Sequence, residues 1–249
     1  MNRRQFVRVS SAAVAAATFG SRIAATAAAA AGGKIPVGVQ LYSVREQCAK
    51  DLRKLLDDLG LVACGTHTPY ESVLSDKLAQ TIEFNHTIGN KFLIVPWMEG
   101  KSKQAWLDKA KLFNELAEKV KADGMRIGYH AHAHDFQKFD GDSAWDLFFG
   151  GTKPEVIMQL DTSNCVEGGA DPVAVLKKYP GRAKTIHIKA NGNGPEAVYG
   201  EDKVDWKGVF EFCETKGGTE WYVVEHESSK DPIDAVRRCY AALKHLGKV

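Results

Sequence analysis

The sequence predicts an α/β fold, a parallel β-sheet sheathed by helices. Short apolar runs rich in Val, Ile and Tyr alternate seven times with longer amphipathic segments. The apolar runs read as strands buried on both faces rather than strands with one wet side. With 44% hydrophobic and 26% charged residues, the composition is that of a packed globular chain, which excludes disordered and collagen-like classes. A (β/α) barrel and an open doubly wound sheet both satisfy this pattern. No Gly-x-Gly-x-x-Gly follows the first run, and no Gly-x-x-x-x-Gly-Lys-Ser/Thr occurs, which counts against dinucleotide and P-loop sites.

The expected strands are 36–43, 61–68, 92–98, 125–134, 156–162, 185–190 and 221–226. Helical periodicity occupies 46–59, 72–88 and 103–122. In the last of these, Trp106, Ala110, Phe113, Ala117 and Val120 recur at three- and four-residue intervals and so share one face. Asp171-Pro172 and Asp231-Pro232 each place an N-cap before a proline at the first helical turn. Gly60, Gly89, Gly124 and Gly247 stand where helices should end. No linker or change of composition divides residues 32–249, so one domain is expected.

The charge is uneven. Arg3, Arg4, Arg8 and Arg22 fall in the first 31 residues, which hold no Asp or Glu. Without those four arginines, 29 basic residues face 31 acidic ones, so the overall +2 covers a body of net charge −2. Arg3-Arg4-Gln5-Phe6-Val7-Arg8, a weakly apolar Ala-rich stretch and Ala-x-Ala choices between residues 24 and 31 resemble a twin-arginine export signal over 1–31. That resemblance implies a periplasmic protein exported already folded. No other segment is long and apolar enough to span a membrane. The five cysteines, Cys48, Cys64, Cys165, Cys213 and Cys239, are odd in number and form no Cys-x-x-Cys. A disulfide framework is not expected in a domain this large, one bridge stays open, and Cys213 and Cys239 read as core residues.

Polar residues gather at the carboxyl ends of the expected strands, where a (β/α) barrel builds its active site. The first run ends in Gln40-Leu41-Tyr42-Ser43, the second reaches His67, and the third ends near Trp97. The fourth carries His130, His132 and His134 in alternation, so they are expected on one face. The fifth ends at Asp161, the sixth at His187 and Lys189, and the seventh at Glu225, His226 and Glu227. Taken singly, Asp161 could be an N-cap and His187 a satisfied core histidine. Converging imidazoles and carboxylates on successive strands suit one divalent ion of the Mn, Co, Zn, Fe or Mg type.

The motifs Val37-Gly-Val-Gln-Leu-Tyr-Ser, Gly128-Tyr-His-Ala-His, Leu160-Asp-Thr with Gly168-Gly-Ala-Asp-Pro, Ile186-His-Ile-Lys, and Val204-Asp-Trp leading to Trp221-Tyr-Val-Val-Glu resemble the sugar phosphate isomerase/epimerase family with its xylose-isomerase-like TIM barrel. The resemblance spans residues 35–247. It implies a TIM-type (β/α) barrel and one metal held by Glu, Asp, His and Glu, of which three carry over to Asp161, His187 and Glu225. His130 stands where the family has its first glutamate, and Tyr129-His130-Ala131-His132 matches the Tyr-His-x-His of a subset. The family's ligands lie on strands five to eight, and here on runs four to seven. One βα unit is therefore missing between Ser43 and Leu61, which implies either seven-strand closure or a seam.

The resemblance implies proton abstraction beside a carbonyl of a small sugar or keto-sugar by a metal-dependent isomerase or epimerase. Glu225 would remove the proton, His132 would return or relay it, and Lys189 would hold an oxyanion or hydroxyl. Metal ligands would be His130, Asp161, His187 and Glu225. Gln40, Tyr42, His67 and Trp97 would face substrate. Elimination on a 3-keto-glycoside needs only one base and is the close alternative. A non-catalytic sugar-binding barrel is the second class. A fold-related endonuclease would want a basic groove, and the net −2 body counts against nucleic acid as a partner.

Overall fold

Seven parallel strands frame the barrel in the computed structural model, which describes residues 33–249 apart from 42–51, 75, 193, 195–196, 201 and 228. The elements run β1 (Val37–Val39), α1 (Leu52–Leu59), β2 (Thr66–His67), α2 (Leu78–Ile88), β3 (Phe92–Val95), α3 (Lys103–Lys121) and β4 (Arg126–His130). A hairpin, β5 (Lys138–Phe139) and β6 (Asp142–Ser143), leads into α4 (Ala144–Gly151). The chain continues through β7 (Ile157–Gln159), α5 (Thr162–Glu167), α6 (Pro172–Lys178), β8 (Thr185–Ile188), α7 (Trp206–Phe212), β9 (Trp221–Val224) and α8 (Pro232–His245). The proposed leader 1–31, Tyr42, Cys48 and the start of the helix expected from 46 lie outside the described residues.

Parallel ladders join β2-β3-β4-β7 and β8-β9-β1. A parallel bridge between Asp161 and His187, with the His187 N–H donating to Leu160 O at 2.9 Å, joins the two sheets. The wall therefore reads β2-β3-β4-β7-β8-β9-β1. Among the described residues no ladder pairs β1 with β2, so the missing unit leaves a seam there. The seam is narrow: a Cβ at Gly38 would lie 3.2 Å from Cys64 Sγ.

The central strands are buried because their runs are apolar on both faces, whereas β1 and β2 at the seam are half-buried. Every residue of β3, β7 and β8 is buried. Gly128 is required in β4, where a Cβ would sit 2.6 Å from the backbone oxygen of Ile157. On the outside, α3 buries Trp106, Ala110, Phe113, Leu116, Ala117 and Val120, the expected stripe with Leu116 added. Its N-cap Ser102 accepts from Ala105 N at 3.2 Å. Asp171 and Asp231 cap α6 and α8 ahead of their prolines as expected. Cys64, Cys165, Cys213 and Cys239 are free thiols, the last three buried.

Several expected bounds need correction: β2 is confined to Thr66–His67 of 61–68, β3 stops at Val95 and α2 begins at Leu78 rather than at 72. The fourth strand stops at His130 rather than continuing to 134, because Ala133–Phe136 turns into a 3-10 helix. The following hairpin closes on Asp140-Gly141, both at positive φ (52° and 94°), a strong short-range turn signal that the strand-helix alternation obscured.

Arg182 clasps the amino-terminal end of the wall. It is buried, and among the described residues no carboxylate pairs with it. Its guanidinium donates to Phe149 O at 2.9 Å, to Thr152 Oγ1 at 2.6 Å and to Val156 O at 3.0 Å. Burial lowers its pKa to about 10. A lysine cannot reproduce this fork. Arg182→Lys should cost about 2–3 kcal/mol in urea denaturation, and a loss below about 0.5 kcal/mol would show that the clasp does not act.

Candidate metal centre

The strand register delivers four donors to one place. His130 is cross-strand from Gln159, and Asp161 lies two residues further along that same chain. Asp161 is cross-strand from His187. His187 is cross-strand from Val223, and Glu225 lies two residues beyond it. Steps of two keep a side chain on one face of its strand, and the progressive offset is the stagger that a tilted barrel wall requires. Ligand-type atoms of His130, Asp161, His187 and Glu225 all lie within 4.8 Å of one another, and all four residues are buried.

Asp161 divides its two oxygens. Oδ1 accepts from Asn164 N at 2.8 Å and caps α5, while Oδ2 is buried with no hydrogen-bond partner among the described residues. An orphaned carboxylate oxygen aimed among two imidazoles and a second carboxylate fits a cation, because such an oxygen is costly to bury unpaired. The helix-cap and ligand readings of Asp161 are thus both satisfied. The carboxyl is pushed up to about 7, by burial above all, against the pull of Lys189. Glu225 Oε2 meets His187 Nδ1 at 2.5 Å. Burial acts to raise the Glu225 carboxyl, yet His187 and Lys189 together outweigh it and hold it well below the usual range. His130 is pushed far down by burial and by its imidazole neighbours, which keeps it in the neutral form that ligates metals.

A polar chain runs beside the donors. His130 Nδ1 and His67 Nε2 both reach Gln159 Oε1, at 3.0 and 2.9 Å. Gln159 Nε2 donates to Thr185 Oγ1 at 2.6 Å, and Gln40 Nε2 meets His67 Nδ1 at 3.2 Å across the seam. Gln40 and His67, both expected to face substrate, hold each other. The His67 pKa drops to about 4, by burial and then by the nearby His187. His67 can also be grouped with His130 and His187 as a three-imidazole set, but both its nitrogens already serve protein partners. Gln159 escaped the sequence reading. Its signal was a lone amide inside the apolar run Val156-Ile-Met-Gln-Leu.

The rim carries the remaining candidates. Trp97 is 48% exposed and tilts against His134 with ring centroids 4.2 Å apart, and it meets His132 edge-on at 4.7 Å. His132 and His134 do not share a strand face with His130, because both lie past the end of β4. His132 Nδ1 is buried and unpartnered, and its pKa falls to about 4 through burial and the neighbouring His134. Asp135 fixes this turn: Oδ1 accepts from Tyr129 OH and Oδ2 from His132 N, each at 2.7 Å. Lys189 Nζ pairs with Glu227 Oε2 at 2.6 Å. Burial opposes the Lys189 charge, but Asp161 and Glu225 outweigh it and raise the pKa.

A family model described as the xylose isomerase-like TIM barrel matches residues 22–246. An inosose dehydratase of Clostridium tetani (strain Massachusetts / E88) is 28% identical over 203 residues, covering 72% of this chain and 67% of the relative. A solved sugar phosphate isomerase/epimerase from Parabacteroides distasonis superposes with a TM-score of 0.70 at 21% identity, covering 85% of this chain and 94% of the other. The protein IOLI, solved with a bound zinc atom, superposes with a TM-score of 0.58 at 13% identity over 87% of this chain and 89% of its own.

Asp135 yields a pH test. Burial raises its carboxyl from 3.8 to about 6 in the folded protein. Between those values the unfolded chain is ionised while the folded chain keeps its proton, so stability falls as pH rises through the window and levels off above it. In metal-free protein, the stability advantage of wild type over Asp135→Asn should shrink by about 2–3 kcal/mol from pH 4 to 6. Parallel denaturation curves for the two proteins would refute this assignment.

Proposed function

The chain belongs to the xylose isomerase-like TIM barrel family, and on that premise we propose a metal-dependent enzyme that removes the proton beside a carbonyl of a polyhydroxylated ketone and eliminates a β-hydroxyl as water. The observation that carries this reading is the buried four-donor cluster with its orphaned Asp161 oxygen. His130, Asp161, His187 and Glu225 would hold one divalent ion. When bound, that ion supplies Lewis-acid polarisation of the substrate carbonyl.

The chain's own residues do the rest. Glu225 stays ionised at neutral pH and takes the proton. A carboxylate held so acidic is a weak base, which is why the neighbouring carbonyl must be activated. His132, neutral and with an unpartnered Nδ1, stands ready to relay a proton. Lys189, kept cationic beside Glu227, is placed for a substrate hydroxyl or developing oxyanion. Trp97 offers an exposed ring at the rim for a sugar face.

Elimination is favoured over two-base epimerisation by His130, which occupies the position of the family's first glutamate and leaves Glu225 as the carboxylate base. The dehydratase relative supports the same choice. Epimerisation is the second reading, favoured by the neutral imidazole of His132, whose ring lies 5.0 Å from that of His130, as another base. The arginine pair and acid-free first 31 residues support export by the twin-arginine route and action in the periplasm on a small molecule rather than nucleic acid or membrane.

Purified protein should bind about one divalent ion per chain by calorimetry. Asp161→Asn keeps a capping oxygen but loses the charge, and should weaken binding by more than about 100-fold, beyond the range of outer-shell changes. Unaltered binding in that variant would remove Asp161 from the ligand set. Inosose and other cyclic or linear keto-sugars, incubated in deuterium oxide, should exchange the α-hydrogen. Glu225→Gln should slow exchange by about 10²–10⁴-fold. An α,β-unsaturated product absorbing in the ultraviolet marks elimination, whereas a stereoisomer without such absorbance marks epimerisation. Tight sugar binding with no exchange would favour a non-catalytic barrel.

A further inference from the structure

Gln159 is buried where five strands meet. Its single amide meets His130 on β4, His67 on β2 and Thr185 on β8, and through His67 it reaches Gln40 past the end of β1. A glutamine in the middle of an apolar strand is expensive to bury unless every polar atom is used. Here Oε1 takes two imidazole contacts and Nε2 donates to a hydroxyl, so the amide is satisfied.

The direction of those bonds fixes which nitrogen of each imidazole carries its hydrogen. Gln40 Nε2 donates to His67 Nδ1, so a neutral His67 must carry its hydrogen on Nε2, and that hydrogen points to Gln159 Oε1. The orientation of Gln159 set by Thr185 agrees, because it turns Oε1 and not Nε2 toward both rings. An oxygen without hydrogen cannot donate, so His130 must offer Nδ1–H to it. The lone pair of His130 then lies on Nε2.

We infer that Gln159 is a positioning residue for the metal site: it holds His130 in the Nδ1–H form so that Nε2 is the ligating nitrogen, and it keeps His67 out of the ligand set. This inference rests on the metal reading proposed above. One carbonyl oxygen serving two imidazoles also explains why three histidines crowd together, with His67 and His130 centroids 4.6 Å apart and His130 and His187 4.5 Å apart, while the four-donor set uses two of them. Outer-shell hydrogen bonds of this kind set ligand orientation and basicity, and their loss generally costs about 10–100-fold in metal affinity.

The test is long-range proton–nitrogen NMR on the imidazoles of metal-free full-length protein, followed by divalent-ion titration of variants. Wild type should show His130 as the Nδ1–H form and His67 as the Nε2–H form. Gln159→Met keeps the side-chain length without an acceptor; it should lose the single His130 form and bind Zn²⁺ about 10–100-fold more weakly, with its circular dichroism unchanged. Gln159→Glu keeps an acceptor and should restore the Nδ1–H signal. The inference is overturned if wild-type His130 carries its hydrogen on Nε2, or if Gln159→Met binds Zn²⁺ as tightly as wild type. Should Gln159→Met fail to fold, the wild-type spectrum alone decides the tautomer. Wild type that takes up no divalent ion, with the tautomers as stated, overturns the metal reading and leaves the control of His130 by Gln159 standing.

Discussion

Two carboxylates and two imidazoles cannot be buried within 4.8 Å of one another at no cost, and the upper layer of this barrel is organised around that constraint. Like charges at such separations repel strongly in a poorly hydrated interior. Each group shows how the protein's own side chains meet that cost. Asp161 is driven toward its protonated form. Glu225 binds His187, and Lys189 is drawn in to counter both carboxylates. One oxygen of Asp161 is still left unpartnered. A divalent ion would reverse the penalty, because it turns mutual repulsion into shared attraction.

The same layer is tied to the irregular part of the wall. The seven strands meet at a seam between β1 and β2 that no backbone ladder closes among the described residues. Open parallel edges are normally paired or covered. Here Gln40 and His67 span the gap by side chains, and His67 is anchored through Gln159 to His130. Closure of the wall and orientation of a ligand histidine are therefore one hydrogen-bond network. A shift of β2 along its axis would move Gln159 and, with it, the imidazole that faces the donors. The seam thus sits next to the site for a physical reason, since the polar groups that close it are the ones that steer the ligands.

Much of this was legible in the sequence because it depends on local pattern. The apolar runs located all seven wall strands, and the periodic stripe from Trp106 to Val120 located α3 to within a residue. Asp161, His187 and Glu225 stood out because polar residues recur at the carboxyl ends of successive apolar strands. The missing unit was legible as length. Less local features were not. The bend after His130 depends on Asp135 accepting from Tyr129 and from His132 N, bonds that close only once the strand has folded, so the alternation of three histidines alone reads as a longer strand. Gln159 has no motif, and its importance arises from partners on three other strands. The partners of His67, Gln40 and Gln159, lie 27 and 92 residues away in the sequence, beyond any local pattern.

One ion seated among His130, Asp161, His187 and Glu225 is the centre of the proposed site. Crystals grown with Mn²⁺ or Zn²⁺ and measured on both sides of the metal's absorption edge give the most direct test. The account predicts a single strong anomalous peak within about 2.0–2.3 Å of Asp161 Oδ2, His130 Nε2, His187 and Glu225. An absent peak, or a peak bound through His67 or His130 Nδ1 and away from Asp161, would contradict it.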